Sequence, residues 1–213
     1  MKKDMPETDP IDTSVTKRPR RAPSGPRLGR EDWVLAAKKV LMARGIEAVK
    51  VDRLAKDFGV TRGSFYWHFK SRGDLLQALL TYWGDTNTTA LRTAIQGNRG
   101  DGMAQFKAII RIWVEEKDFS PSFDMAVRDW ARHSKTAAAL LRKVDDERIQ
   151  LFSDIFRNLG YDDAESGVRA RVLYFHQVGY YALAIKETRA ERTATLPLYY
   201  KILTGLMPPD SLI

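Results

Sequence analysis

Apolar side chains recur every three to four residues along most of the chain beyond residue 30, and this spacing restricts the fold more than any other sequence feature. Trp33, Ala37 and Leu41, for example, fall on one face of a helix. No segment sustains the two-residue alternation of apolar and polar side chains that marks a half-buried strand. The sequence therefore predicts an all-α fold, in which helices bury their apolar faces against one another.

Glycine, proline and helix-capping residues divide this pattern into separate helices. Three short helices are predicted between residues 30 and 70. A fourth is predicted to begin after Ser71, where Asp74 completes something like a capping box, and to end before the glycines at 97–102. The remaining predicted helices lie near residues 103–117, 122–133, 136–159, 163–188 and 193–206. The polar stretch from Thr188 to Thr193 is interpreted as the connection between the last two.

The first 29 residues differ in composition from the rest, with five prolines and almost no large apolar side chains. Such a segment buries too little surface to offset its ordering entropy, so residues 1–29 are predicted to form a disordered basic arm. Residues 13–30 carry six Lys and Arg residues and no acidic residue. Two roles are open for this arm, contact with DNA phosphates or that of a solvated tail.

Charge and composition exclude several classes of protein. Of the net charge of +8, about +7 falls in residues 1–80, which suggests that this end meets a polyanion. Cysteine is absent, which excludes disulfides, thiol nucleophiles and cysteine-ligated zinc. No apolar run approaches the roughly 20 residues of a membrane span. Acidic residues and proline follow Lys2 and Lys3 where an export signal would be apolar. We therefore expect a soluble cytoplasmic protein without a membrane partner, cofactor or metal.

Two short helices separated by a glycine-containing turn predict a helix-turn-helix at about residues 51–69. Gly59 ends the first of these helices, and Thr61 is a natural N-cap for the second. Ring-bearing side chains occupy every position from Phe65 to Phe69, and they cannot all face inward from one short helix. We expect Phe65 and Phe69 to anchor the helix, which leaves the three residues between them to face a partner.

A family resemblance is carried by residues 51–76, VDRLAKDFGVTRGSFYWHFKSRGDLL. This segment resembles the N-terminal domain of the tetracycline-repressor (TetR) family of bacterial regulators. The resemblance implies an N-terminal three-helix helix-turn-helix domain, residues 30–76, and a larger C-terminal helical ligand-binding and dimerisation domain, residues 77–213. It also implies a sequence-specific transcriptional regulator, not an enzyme, that leaves its double-stranded DNA operator when a small-molecule effector binds. Repression is the usual outcome in the family, and activation stays open.

By this resemblance the third helix reads DNA, and its residue types suit that role. Arg62 can contact guanine in a major groove, Ser64 can bond a base or phosphate, and Tyr66 can donate to phosphate oxygens. The predicted DNA-binding residues are Lys50, Thr61, Arg62, Gly63, Ser64, Tyr66, Trp67, His68, Lys70 and Arg72.

Two positions depart from the family pattern. Lys50 and Val51 stand where the second helix usually begins with Thr or Ser, so its side-chain cap and a phosphate contact are missing. Asp52 stands where some members carry a base-reading arginine, and a carboxylate there would accept from cytosine or repel phosphate.

Effector binding and dimerisation are assigned to the larger domain by the same resemblance. Apolar walls with sparse polar groups suit an effector pocket. Its predicted lining residues are Phe106, Trp113, Trp130, His133, Phe175, His176 and Tyr180. The helix predicted at residues 163–188 is apolar on more than one side and so needs two partners. A homodimer through residues of about 163–206 would supply the second, whereas a monomer with a thick core is the alternative.

Two other functions compete with a regulator. One is a helical enzyme with an appended DNA-binding module, in which His133 or His176 acts as acid or base beside Asp129 or Glu115. The other is a protein that coats DNA without sequence preference through its basic arm. No nucleophile motif, metal-ligand spacing or cofactor loop supports the enzyme.

Overall fold

The computed structural model describes residues 28–212, and every regular element in this range is a helix. This confirms the predicted all-α fold. The helices are α1 (Arg30–Arg44), a 3-10 turn (Ile46–Ala48), α2 (Val51–Asp57), α3 (Arg62–Tyr66), α4 (Arg72–Gly97), α5 (Gly102–Glu115), α6 (Pro121–Ala131), α7 (Lys135–Asn158), α8 (Asp163–Ala182) and α9 (Arg189–Thr204). Almost all of the predicted basic arm, residues 1–29, lies outside the described residues.

Side-chain caps begin most of the longer helices. The hydroxyl of Ser71 accepts from the backbone N–H of Asp74 at 3.2 Å, and this bond starts α4 as predicted. Asp101, Ser134 and Asp162 cap α5, α7 and α8 in the same way. Each cap satisfies a backbone donor that has no partner within the helix.

The connection between α8 and α9 differs from the predicted one. Helix α8 ends at Ala182 rather than near residue 188, and α9 begins at Arg189 rather than at Thr193. Thr188 and Glu191 form a capping box, in which the Thr188 N–H donates to Glu191 Oε2 at 2.7 Å and the Glu191 N–H donates to the Thr188 hydroxyl at 3.2 Å. The polar residues interpreted as a linker are therefore the first turn of a helix.

Two clusters of buried apolar side chains hold the helices together, and α4 belongs to both. The first cluster joins α1, α2, α3 and the N-terminal half of α4 to α6, which contributes Phe123, Val127 and Trp130. The second joins the C-terminal half of α4, through Leu91 and Ile95, to helices α5, α7, α8 and α9. The boundary predicted between residues 76 and 77 thus falls inside a continuous helix, and α6 packs against the DNA-binding helices.

Candidate DNA-binding face and effector cavity

Helix α3 is held in place by the aromatic anchors that the sequence predicts. Phe65 and Phe69 are both buried and stack on each other with ring centroids 5.3 Å apart. Trp33 of α1 meets Phe65 edge-on at 5.3 Å. Gly59 adopts a positive φ of 68°, a conformation that glycine permits without strain, and it turns the chain from α2 toward α3. The turn and the anchors together fix which side of α3 faces outward.

The outward side of α3 carries large side chains that the protein itself leaves uncovered. The indole of Trp67 is 87% exposed and the phenol of Tyr66 is 49% exposed. Thr61, Arg62 and Gly63 are exposed as well, while Ser64 and His68 are half-buried. Since large apolar surface is normally removed from water, this concentration of exposed rings indicates a surface that meets another molecule.

Arg62 belongs to a small polar group that the sequence did not reveal. Its Nη2 donates to the Tyr66 hydroxyl at 3.1 Å, and its Nε lies 3.4 Å from Asp52 Oδ1. The hydrogen bond with Tyr66 and the charge of Asp52 together raise the pKa of Arg62. Asp52, which the sequence pattern placed directly against DNA, instead contacts the arginine predicted to read bases. It orients that arginine across the turn between α2 and α3.

Arg72, one of the residues predicted to bind DNA, makes two intramolecular hydrogen bonds. Its Nε donates to the Val49 carbonyl at 2.6 Å, and its Nη2 donates to the Ile46 carbonyl at 2.8 Å. These bonds tie the start of α4 to the segment before α2. Lys50 and Lys70, in contrast, are exposed and make no ion pair with any residue of the described range. Their ammonium groups are therefore free for phosphate.

Both helix starts in this region lack a side-chain cap. Lys50 occupies the N-cap position of α2 without a capping hydrogen bond, as its residue type predicts. Thr61 is the N-cap residue of α3, but its side chain makes no capping hydrogen bond either. The first N–H groups of α3 are thus open to an acceptor from outside.

The residues predicted to line an effector pocket fall into two groups. Trp113, His176 and Tyr180 lie together around a cavity of about 50 Å³ between α5, α8 and α9, called here the outer cavity. The other four lie elsewhere. Phe106 is buried against Tyr200, Trp130 and His133 border a groove beside α4, and Phe175 is exposed on α8.

A second, smaller space shares lining residues with the outer cavity and is called here the inner cavity. Its volume is about 10 Å³, close to that of one water molecule. Trp113 and Gln177 border both cavities. The polar residues around the inner cavity are Asp124, Arg148, Tyr174 and Gln177, and its apolar walls are Leu91, Trp113, Phe119, Val178 and Tyr181. Ligand pockets for drug-sized molecules usually measure about 300–1,000 Å³, so these cavities must open to admit one.

Two arginines and two aspartates form an ion cluster beside the inner cavity, called here the buried cluster. Asp124 and Arg148 are buried, and Arg128 and Asp145 are half-buried. Asp124 Oδ1 accepts from Arg148 Nη1 at 2.9 Å, and Asp124 Oδ2 accepts from Arg128 Nε at 3.0 Å. Arg128 also pairs with Asp145 at 2.7 Å, and the Tyr174 hydroxyl donates to Asp145 at 2.6 Å. Burial alone would raise the pKa of Asp124, but the two guanidinium groups and their hydrogen bonds outweigh it and lower the pKa.

The cluster also reaches α4, the helix that follows the helix-turn-helix. Trp83 Nε1 donates to Asp124 Oδ1 at 3.2 Å, and Arg148 Nε donates to the Thr88 hydroxyl at 3.3 Å. Trp83 and Thr88 both lie on α4, Asp124 lies on α6 and Arg148 on α7. One feature of the sequence indicates a buried charge on α7. Arg148 lies at helical spacing between Val144 and Phe152 and so interrupts an apolar stripe.

Comparison with known proteins agrees with this arrangement. The family model described as bacterial regulatory proteins, tetR family, matches residues 34–79. The chain is 26% identical to the HTH-type transcriptional regulator SrpR of Pseudomonas putida over 84% of this chain and 73% of SrpR. It is 41% identical to the regulator TtgW of P. putida over 24% of this chain and 38% of TtgW. The fold matches reduced NemR of E. coli, with a TM-score of 0.68 and 19% identity over 84% of this chain and 99% of NemR.

The matched segment contains α2, α3 and the start of α4, which are the elements that build the exposed face around Trp67. The match to SrpR, which covers 84% of this chain, extends the likeness into the helices that surround the two cavities. Residues 34–79 thus match the tetR family of bacterial regulatory proteins, and the comparisons support a DNA-binding transcriptional regulator of that family.

Proposed function

We propose that this regulator is a dimeric repressor whose α3 helices read an operator and whose larger domain binds a small-molecule effector that releases the DNA. The observation that carries the proposal is the exposed face of α3, with Trp67 and Tyr66 in water and two buried phenylalanines beneath them. Arg62 is the base-reading side chain, and Lys50 and Lys70 contact phosphates. Thr61, Gly63, Ser64 and His68 complete the contact surface.

The experiment separates base reading from phosphate attraction. An operator is first selected by the full chain from a pool of random DNA duplexes, and binding is then measured at several salt concentrations. We expect Arg62→Ala to lower the affinity for the selected operator about tenfold or more, with little change on unrelated DNA. Lys70→Ala should weaken binding to both DNAs to a similar extent and reduce the salt dependence.

Arg99→Ala is a matched control, because Arg99 is exposed and lies between α4 and α5, away from α3. Unchanged operator affinity in both test variants at moderate salt would contradict α3 as the reading element. Equal losses on every sequence for Arg62→Ala would instead favour a protein that coats DNA.

Effector control requires a path from the cavities to the helix-turn-helix, and the buried cluster supplies one. Asp124 contacts both Arg148 beside the inner cavity and Trp83 of α4. Its helix, α6, also packs Phe123, Val127 and Trp130 into the core of the DNA-binding helices. A ligand that widens the cavities moves α6 and α4 together, and this changes the spacing of the two recognition helices.

The proposed dimer rests on an apolar surface shared by α8 and α9. Val168, Val172 and Phe175 recur at helical spacing on α8 and are all at least half exposed. Leu198 and Ile202 continue the surface on α9. A second copy covering this surface would form a four-helix interface of the kind predicted from residues 163–206.

The competing enzyme would need a histidine paired with a carboxylate. His176 packs its ring 4.8 Å from the Tyr199 ring, and burial together with the charge of Arg192 lowers its pKa. Neither His133 nor His176 is hydrogen-bonded to a carboxylate in the described part of the chain. Within residues 28–212 no three His, Asp or Glu side chains come together as a metal site. None of the helices in this range combines the length and the apolar character of a membrane span.

A further inference from the structure

Two buried hydrogen-bond donors beside the inner cavity have no partner. Arg148 Nη2 and Gln177 Nε2 are both inaccessible to water and make no hydrogen bond within the described residues. The side chains are more than nine-tenths buried, and both border the inner cavity. A buried donor without an acceptor is unfavourable. A ligand acceptor that bonds to these two atoms therefore gains more binding free energy than the same hydrogen bonds would give in water.

The other polar groups of the cluster are satisfied among themselves. Asp124 accepts from Trp83 and from both arginines, and Tyr174 donates to Asp145. The remaining unpartnered buried atoms of the described chain, on Trp33, Arg53 and Tyr200, belong to residues that do not border this cavity. The unpartnered buried donors at this cavity are therefore Arg148 Nη2 and Gln177 Nε2.

Charge decides which kind of acceptor fits. Arg128 and Arg148 are balanced by Asp124 and Asp145, so the cluster is formally neutral before anything binds. A carboxylate would bring an unbalanced negative charge into a buried site, which is unfavourable unless it is paired. An uncharged oxygen acceptor uses the two donors without adding a charge.

The walls of the inner cavity indicate the rest of the molecule. Trp113, Phe119 and Tyr181 present aromatic surfaces, and Phe119 and Tyr181 stack on each other at 6.0 Å. Trp113 also borders the outer cavity, whose other walls are mainly apolar. Flat apolar molecules bind well between aromatic side chains.

We infer that the effector is an uncharged aromatic compound whose carbonyl-type oxygen accepts hydrogen bonds from Arg148 Nη2 and Gln177 Nε2. This inference rests on the effector-controlled function proposed above and names the class of ligand. Gln177 is the specificity-determining residue, because its amide is not part of the ion cluster and borders both cavities.

Three probes of similar size test the inference on the full chain. Acetophenone carries an uncharged acceptor, benzoate an anionic one, and ethylbenzene none. Their dissociation constants are measured by calorimetry or competition, for the wild type and for Gln177→Leu. We expect wild type to prefer acetophenone to benzoate, and Gln177→Leu to lower the ratio of acetophenone to ethylbenzene affinity about tenfold.

Gln150→Leu makes the same chemical change on the exposed side of α7 and should leave the ratio unaltered. If Gln177→Leu does not fold, the wild-type series decides by itself, since benzoate binding as tightly as acetophenone overturns the inference. An unchanged ratio in a folded Gln177→Leu overturns it too, as does a wild type that binds none of the probes at millimolar concentration.

Release of the selected operator separates this inference from the proposed function. If acetophenone binds with the expected dependence on Gln177 but the DNA stays bound, the ligand class stands and effector release fails. If a compound releases the operator with no dependence on Gln177, effector control stands and the assignment of these donors is overturned.

Discussion

Asp124 holds a negative charge in the interior of the molecule and is the residue on which most of the buried cluster depends. Its two oxygens accept from Trp83, Arg128 and Arg148, which lie on three different helices. The guanidinium of Arg148 also lies over the Trp83 ring at 5.4 Å. Removing one partner of such a pair leaves the other charge buried without compensation.

Asp124→Asn is therefore expected to destabilise the fold by about 3–5 kcal/mol, because Arg148 keeps its charge and loses its partner. Urea unfolding at a fixed protein concentration measures this change. Asp154→Asn is the control, since Asp154 pairs with Arg157 in an exposed position and its loss should change stability little. Equal midpoints for Asp124→Asn and the wild type would contradict the role of the buried pair.

The same residue gives the stability a pH dependence. Because the pKa of Asp124 is lowered in the folded chain, its contribution is present above the ordinary value of 3.8 and is lost as the pH falls through the lowered value. Asp124→Asn should therefore lose less stability than the wild type on acidification below about pH 4, and urea unfolding over a series of acidic buffers measures this difference.

At the scale of the helices, α5 begins in very close contact with the end of α7. A Cβ added to Gly102 would lie 2.7 Å from the backbone carbonyl oxygen of Ile155 and 2.7 Å from the backbone nitrogen of Leu159. Backbone atoms of a packed helix cannot move aside as a flexible side chain can. The glycine thus allows α5 to approach α7 and close the second core cluster.

Gly102→Ala should destabilise the protein by about 1–3 kcal/mol, because α5 must shift to relieve the overlap. Gly97→Ala is a matched control at the end of α4, where an added Cβ meets nothing within 4 Å. That control should be neutral or stabilise by up to about 1 kcal/mol, since alanine favours a helix. Thermal and urea unfolding of both variants decide the comparison, and equal stability of the two would refute the packing argument.

At the scale of the whole molecule, the apolar surface of α8 and α9 determines the proposed assembly. Ile202 is 76% exposed on α9 and lies one helical turn from Leu198 on the same surface. A dimer places two α3 helices on one duplex, so each recognition helix raises the local concentration of the other. In the proposed dimer, DNA affinity and oligomeric state are therefore linked.

Ile202→Asp should convert the dimer to a monomer and weaken operator binding by about 100-fold or more, because two linked contacts become one. Analytical ultracentrifugation and operator titration measure the two effects. Ala139→Asp adds the same charge at an exposed position of α7 and should alter neither. An Ile202→Asp protein that sediments as a dimer would exclude this surface as the interface.

Local sequence determined the helices, their caps and the anchors of the helix-turn-helix. Helical spacing and capping depend on residues within about four positions of each other, so the roles of Phe65, Phe69 and Ser71 follow from the residues around them. The start of α9 was misplaced because Thr188 and Glu191 resemble linker residues until their reciprocal hydrogen bonds are known. The family resemblance followed from one contiguous segment for the same reason.

Only the tertiary structure decided which distant residues meet. Arg148 contacts Asp124 across 24 positions, and Arg72 binds carbonyl groups more than 20 positions away. The structure also separated Trp130 and His133 from the cavity that holds Trp113. Such contacts depend on how whole helices pack, and spacing along a single helix does not show which residues of other helices it meets. The sequence alone therefore determined the helices and the family resemblance, while helix packing decided the composition of the cavities and of the buried cluster.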